Sequence, residues 1–212
     1  MKIAGLLLAA GAGRRMGTPK ALIRDADGVA WVVRAARLLT ASGCSPVVVV
    51  VGAAADAVRA ELAGEPVQVV EAVDWTEGMG ASLRAGLGVL QSATDQSQDG
   101  AAGAGAPGAA GDGVPEAVLV VPVDVPGLTT AVVRRVAGEV GTGGLVRAMY
   151  RGAPGHPVVI GRDHWAGVIA SARGDEGARG YLREREVVEV ECSDLADGTD
   201  VDTVDELPLG HG

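Results

Sequence analysis

Phenylalanine is absent from this 212-residue chain, and aromatic residues make up only 2% of it. A core without many rings has to be assembled from Val, Leu and Ala, which suits a parallel sheet buried on both faces. Cysteine is nearly absent too. Cys44 and Cys192 show no paired spacing, so a disulfide framework and a zinc set are excluded and two thiols of a reducing compartment are expected. No stretch approaches the roughly 20 apolar residues needed to cross a bilayer. Lys2 leads directly into a short apolar strand rather than a cleavable leader, so the expected compartment is the cytoplasm. A net charge of −9 leaves no basic excess, which argues against nucleic acid or a membrane surface as partner. A small phosphate ligand is not excluded, because charge within a Debye length of about 8 Å governs local binding. Lysine is scarce as well: of 18 basic residues only Lys2 and Lys20 are lysines. Lys20 therefore stands out as a compact point charge where nearly every other cation is a planar guanidinium.

Apolar runs at Ile3 to Ala9, Val47 to Val51, Val67 to Val70 and Ala117 to Val121 predict four strands, with helical periodicity between them. Val32, Ala35, Ala36 and Leu39 share one helical face. Val58 and Leu62, then Leu83, Leu87 and Leu90, then Val132, Val133, Val136 and Val140 repeat the pattern. The alternation predicts an α/β fold, a three-layer, doubly wound and mostly parallel Rossmann-like sheet. A single domain over residues 1–212 is expected at this length. Residues 92–113, from Ser92 to Gly113, lack periodicity and are expected to form a low-complexity flexible insertion. Beyond Gly143 the pattern weakens, with strands expected over Gly144 to Tyr150 and Val158 to Ile160 and a short helix over Trp165 to Ser171.

The segment Leu8-Ala9-Ala10-Gly11-Ala12-Gly13-Arg14-Arg15-Met16-Gly17-Thr18-Pro19-Lys20 runs from the first strand into a glycine turn with three cations and no acid. Small residues let backbone N–H groups approach phosphate oxygens, while Arg14, Arg15 and Lys20 supply charge, so the turn reads as a triphosphate cradle. Met16 occupies the third-glycine position of a dinucleotide fingerprint and no Gly-Lys-Ser/Thr follows, which excludes the two better-known phosphate loops. Asp124 closes the apolar strand that starts at Val118 and is framed by Pro122 and Pro126. Ligands of open α/β sheets gather outside the carboxyl ends of strands, so Asp124 and the cradle should face one crevice. A hard carboxylate beside phosphates is a Mg²⁺ ligand by default; the alternative is an Asp that caps the next helix. Asp200 and Asp202 alternate onto one side of an extended segment, and either could complete a metal site.

Three further segments place a polar head beside a small-residue turn: Glu77 to Arg84 with Gly78 and Ser82, Gly155-His156-Pro157, and Gly174 to Arg179. Ser82 fits the first turn of its helix, where N–H groups are free to meet a ligand. His156 has no neighbouring Cys or carboxylate and is assigned no metal. Arg179 could contact an anion or pair with Glu176.

In their order, Leu8-Ala9-Ala10-Gly11 through Arg15-Met16-Gly17 to Lys20, Gly78-Met79 with Ser82-Leu83, Asp124-Val125-Pro126, Gly155-His156-Pro157, Gly174-Asp175-Glu176-Gly177-Ala178-Arg179 and Asp200-Val201-Asp202-Thr203 resemble the MobA-like nucleotidyltransferases over nearly the whole chain. The closest likeness is to the molybdenum cofactor cytidylyltransferase, or MocA-like, branch. The resemblance implies an enzyme that transfers a nucleoside monophosphate from CTP, or less readily GTP, to a phosphate of molybdopterin, releasing pyrophosphate. It implies nucleotide contacts from Leu8, Ala9, Ala10, Gly11, Ala12, Gly13, Arg14, Arg15, Lys20, Gly78 and Ser82, and catalysis by Arg15, Lys20 and Asp124. It further implies Mg²⁺ on Asp124 with Asp200 or Asp202, an acceptor pocket at His156, Gly177, Ala178 and Arg179, and a molybdoenzyme as recipient of the product. Two departures keep every ligand: the usual Asp-Met-Pro is Asp124-Val125-Pro126, and a proline common after the final motif is Val204. The rival readings are a related transferase acting on a sugar phosphate or phospholactate, and a non-catalytic nucleotide-binding accessory protein for a molybdenum hydroxylase.

Overall fold

The computed structural model describes residues 1–99, 114–141 and 143–212. Seven strands are ordered β3-β2-β1-β4-β6-β5-β7. They are β1 Ile3–Ala9, β2 Val47–Val51, β3 Gln68–Glu71, β4 Ala117–Pro122, β5 Leu145–Tyr150, β6 Ala153–Gly161 and β7 Val188–Glu191. β1 lies parallel to β2 and β4, and β2 to β3, while β7 pairs in parallel with β5. Among the described strands only β6 is antiparallel, wedged between β4 and β5. Its direction follows from its connection. Arg151 and Gly152 both take positive φ, 52° and 80°, between the paired Tyr150 and Ala153. A two-residue turn of that kind makes a hairpin, and a return in parallel would need a crossover of a dozen or more residues.

The sheet is covered on both faces, which is why the five valines of β2 are all buried without alternation. In β1, Leu7 and Ala9 face one layer and Leu6 and Leu8 the other. Helices α1 (Trp31–Ala41), α2 (Ala55–Glu61) and α4 (Thr130–Gly138) cover the first layer, and α3 (Met79–Asp99), α5 (Trp165–Ser171) and α6 (Arg179–Arg183) the second. With no Phe available, Trp31 and Trp165 fill the largest spaces, one in each layer, both fully buried. Each buried Val or Leu contributes about 1.5–3 kcal/mol relative to exposure, so the layers rest on numbers rather than on bulk.

Part of the stretch read as a flexible insertion is helix. α3 continues to Asp99, because no glycine interrupts residues 91–99 and the apolar period of Leu87 and Leu90 extends to Thr94. That threonine is buried, and its hydroxyl donates to the Leu90 carbonyl at 2.9 Å. Residues 100–113 of the expected insertion lie outside the described residues. The strand expected over Val158 to Ile160 is the far end of the nine-residue β6, so His156 sits on a strand rather than beside a turn. β7 carries no apolar strand signal in the sequence, because three of its four residues are exposed and two are glutamates.

Candidate active site

β1 and β4 are neighbours at the middle of the sheet, with Leu8 opposite Pro122. The Val123 amide donates to the Leu8 carbonyl at 3.0 Å, so the two chains leave the sheet side by side. This brings the glycine turn and Asp124 to one crevice, as strand-end geometry requires. The turn is a loop folded on itself. The Met16 amide donates to Gly13 O at 2.9 Å, and the Met16 side chain is buried in the layer beneath as an anchor. Gly13 has φ +60°, and a Cβ there would meet the Thr18 carbonyl oxygen at 1.8 Å. Only glycine lets the two legs of the loop touch. A 3-10 turn over Lys20–Leu22 then aims Lys20 back at the strand ends.

Lys20 Nζ donates to Asp202 Oδ1 at 2.6 Å and to Asp124 Oδ2 at 2.9 Å, and Arg15 Nη1 donates to Asp202 Oδ2 at 2.9 Å. Burial alone would lower the Lys20 pKa, but the hydrogen bonds and charges of Asp202 and Asp124 outweigh it and hold the ammonium above its ordinary range. The hydrogen bond from Lys20, with the charges of Lys20 and Arg15, holds Asp202 below the usual carboxylate range. The two acidic segments are stitched together, since the Val201 amide donates to the Asp124 carbonyl at 2.8 Å. Glu206 sets the orientation of Asp202 by accepting from the amides of Asp202 and Thr203 at 2.7 and 3.0 Å. Thr203 and Glu206 form a capping box that starts a 3-10 turn at Val204, so the departure from proline leaves the segment intact. The helix-cap alternative for Asp124 does not hold. Thr129 caps α4, its side chain accepting from the Val132 amide at 3.3 Å.

Around this cluster lies a crevice of about 560 Å³. Its wall includes Leu8, Ala10, Gly11, Ala12, Gly13, Arg14, Arg15, Lys20, Gly78, Ser82, Asp124, Asp200 and Asp202, all singled out from the sequence. Ala9 is the exception in the loop run. Strand alternation turns it into the opposite core layer. Ser82 is buried on the first turn of α3, whose positive end opens into the crevice beside Gly78. Trp75, Thr76, Met79 and Asp175 also line it and were missed as site residues. Their signal was adjacency to Gly78, whose φ of +104° presses residues 75–79 against the Gly174 backbone, where a Cβ would come within 2.7 Å.

His156, Gly177, Ala178 and Arg179 stand outside this wall. A Cβ at Gly177 would meet the Met79 sulfur at 3.1 Å, and Arg179 is exposed, while Glu176 pairs with Arg183 at 2.8 Å rather than with Arg179. His156 lies close enough to Asp124, Arg179 and Asp200 to feel their charges. Burial pushes its pKa down against the raising pull of Asp124, so the ring is neutral. Its Nδ1 is buried without a hydrogen-bond partner among the described residues. No three acids, histidines or cysteines gather there into a self-sufficient metal cage, again among the described residues. A divalent cation at Asp124 and Asp202 would need oxygens from a ligand, as magnesium does in phosphate sites. No helix among the described residues is long and apolar enough to cross a membrane.

Known proteins share this fold and much of this sequence. The MobA-like NTP transferase domain matches residues 5–190, a span that holds the cradle, Asp124 and His156 and ends before Asp200. Nicotine blue oxidoreductase of Paenarthrobacter nicotinovorans is 36% identical over 215 residues, covering 97% of this chain and 94% of that protein. Rv0371c of Mycobacterium tuberculosis superposes with a TM-score of 0.73 at 26% identity, over 97% of this chain and 95% of its own. A crystal structure of that protein in complex with manganese gives 0.71 at 25% identity, over 97% and 96% of the two chains. The matched span covers most of the sequence: the chain belongs to the MobA-like NTP transferase family.

Proposed function

We propose that the protein transfers a nucleoside monophosphate, CMP in preference to GMP, from a Mg²⁺-bound triphosphate to a phosphorylated acceptor, with molybdopterin the first candidate. The observation that carries this reading is the convergence of Arg15 and Lys20 with Asp124 and Asp202 at the mouth of the glycine turn. Two carboxylates already meet on one cationic atom, the donor set that magnesium takes when phosphates complete its shell. Asp124 and Asp202 would hold the ion, with Asp200 beside them. When bound, it supplies charge neutralisation on the phosphates and polarises the α-phosphorus.

The chain's own residues do the rest. Backbone amides of the glycine turn and the first turn of α3 receive phosphate oxygens, and Arg15 and Lys20 stabilise the charge that builds on departing pyrophosphate. An oxygen of the acceptor phosphate forms the new P–O bond as the bond to pyrophosphate breaks. That oxygen is anionic already, so no general base is required, and positioning carries the barrier reduction. Neutral His156, with Gly177, Ala178 and Arg179, forms the acceptor side. Cytidine is favoured because Leu8-Ala9-Ala10-Gly11 is similar to the cytidylyl branch, whereas the guanylyl branch tends to carry two glycines there.

Incubation with molybdopterin, Mg²⁺ and each labelled triphosphate tests the reading. Pyrophosphate and labelled pterin should appear with CTP at least about tenfold faster than with GTP, a ratio that one or two group contacts in a pocket can supply. Nucleotide binding with no turnover on any acceptor would favour the accessory role toward a molybdenum hydroxylase, and turnover with a sugar phosphate or phospholactate a different acceptor. The 36% identity to nicotine blue oxidoreductase supports a second reading, in which the protein is an oxidoreductase that takes nicotine blue. Redox turnover of nicotine blue by the purified protein without pyrophosphate release would establish it.

A further inference from the structure

The ammonium of Lys20 stands where a divalent cation would have to stand. It is held at 2.6 and 2.9 Å by Asp202 and Asp124, with its side chain only 16% exposed, and Arg15 braces Asp202 from the other side. The charges of Arg15 and Lys20 balance those of Asp124 and Asp202, so the crevice is neutral at its centre. A free metal ion entering this cluster must expel Lys20 from both carboxylates, and the expelled ammonium, 16% exposed, loses both of its ion pairs. Such an unpaired charge is costly. Free triphosphate meets the converse problem, because drawing Lys20 and Arg15 onto its oxygens strips the two carboxylates of their counter-charges. Only the complex of the two satisfies every group at once: phosphates take Lys20 and Arg15 while the metal takes the vacated carboxylate oxygens.

We infer that Lys20 is an internal counter-ion that bars Asp124 and Asp202 to free divalent cations and yields them only to a metal–nucleotide complex. The inference rests on the triphosphate reading above and adds a rule of entry to it. Metal and nucleotide bind with positive coupling, and by linkage each raises the affinity of the other by the same factor. The alternative, in which metal binds first and nucleotide follows, requires a carboxylate pair free of Lys20, whereas here both carboxylates are bonded to it.

The test reads Mn²⁺ binding by electron paramagnetic resonance, without turnover, on wild type, Lys20→Met and Lys20→Gln, with and without an α,β-methylene analogue of CTP. Wild type should bind Mn²⁺ weakly alone and at least about fivefold more tightly with the analogue, the lower end of ordinary coupling. Both Lys20 variants should gain at least about fivefold in affinity for Mn²⁺ alone, lose most of the coupling, and revert when Asp124→Asn is added. Thermal unfolding of each variant confirms that folded protein is compared, and either Lys20 variant suffices. Equal Mn²⁺ affinity of wild type and both variants without nucleotide overturns the counter-ion role while leaving the metal site standing. A wild type that binds no Mn²⁺ even with the analogue overturns the metal reading beneath it.

Discussion

Replacing Asp124 by Asn changes one oxygen to nitrogen at nearly constant volume, so it separates charge from packing. Asp124 accepts from Lys20 at 2.9 Å and is 23% exposed, while Lys20 retains Asp202 at 2.6 Å. A partly exposed ion pair with a second partner in place contributes about 1 kcal/mol to folding. In a chain of this length that corresponds to a fall in Tm of roughly 2–4 °C. The catalytic loss is far larger. Asp124 acts through the cation: losing one of its two carboxylates loosens the charge that neutralises the phosphates, and loss of one such preorganised electrostatic contact costs about 10²–10³ in rate. We expect kcat/KM for pyrophosphate release to fall about a thousandfold, near 4 kcal/mol of transition-state stabilisation. The assay is coupled pyrophosphate detection with CTP, Mg²⁺ and acceptor, run beside thermal unfolding. A variant within threefold of wild type, with the same metal dependence, would refute the role given to Asp124; a variant that loses most of its stability would show that the loss is structural.

Other perturbations probe the supports. Gly13→Ala forces an L-residue to φ +60° against the Thr18 carbonyl. The backbone term alone costs about 1–2 kcal/mol, so the loop should spring open and nucleotide affinity by equilibrium dialysis should fall at least tenfold. Glu206→Ala removes the acceptor that fixes the Asp202 and Thr203 amides. It should raise KM for the metal–nucleotide complex about three- to tenfold with little change in Tm, since it loosens a ligand without emptying the core. Burial raises the Cys44 thiol from 9.0 to about 11. The unfolded chain therefore ionises first as pH rises, and stability falls between those values by about 2–3 kcal/mol. Urea titrations across that range should show the fall, and Cys44→Ala should flatten it.

The parallel half of the fold was legible because its signals are local. Ile3 to Ala9 and Val47 to Val51 are apolar runs bounded by turns, and the helices between them carry clean periods. The second half was less so. The antiparallel entry of β6 depends on two residues, Arg151 and Gly152, and β7 is an exposed edge strand whose glutamates hide it. The extension of α3 rests on one buried threonine in a polar stretch. At the site, the cradle and Asp124 followed from strand-end chemistry, whereas the contact between Lys20 and Asp202 spans 182 residues and no spacing rule anticipates it. Trp75 and Asp175 entered the wall only through the close approach at Gly78.

The adjacency of β1 and β4 has a mechanical meaning. The cationic turn and the acid that must act together leave the sheet from neighbouring strands, at its centre, joined by the bond from the Val123 amide to Leu8. Their spacing is thus metered by the ladder itself, about 4.8 Å per strand, rather than by the loops that carry the side chains. Loops around the rim are free to diverge or breathe, but the gauge between phosphate and acid is as stiff as the buried ladder and persists until the ladder melts.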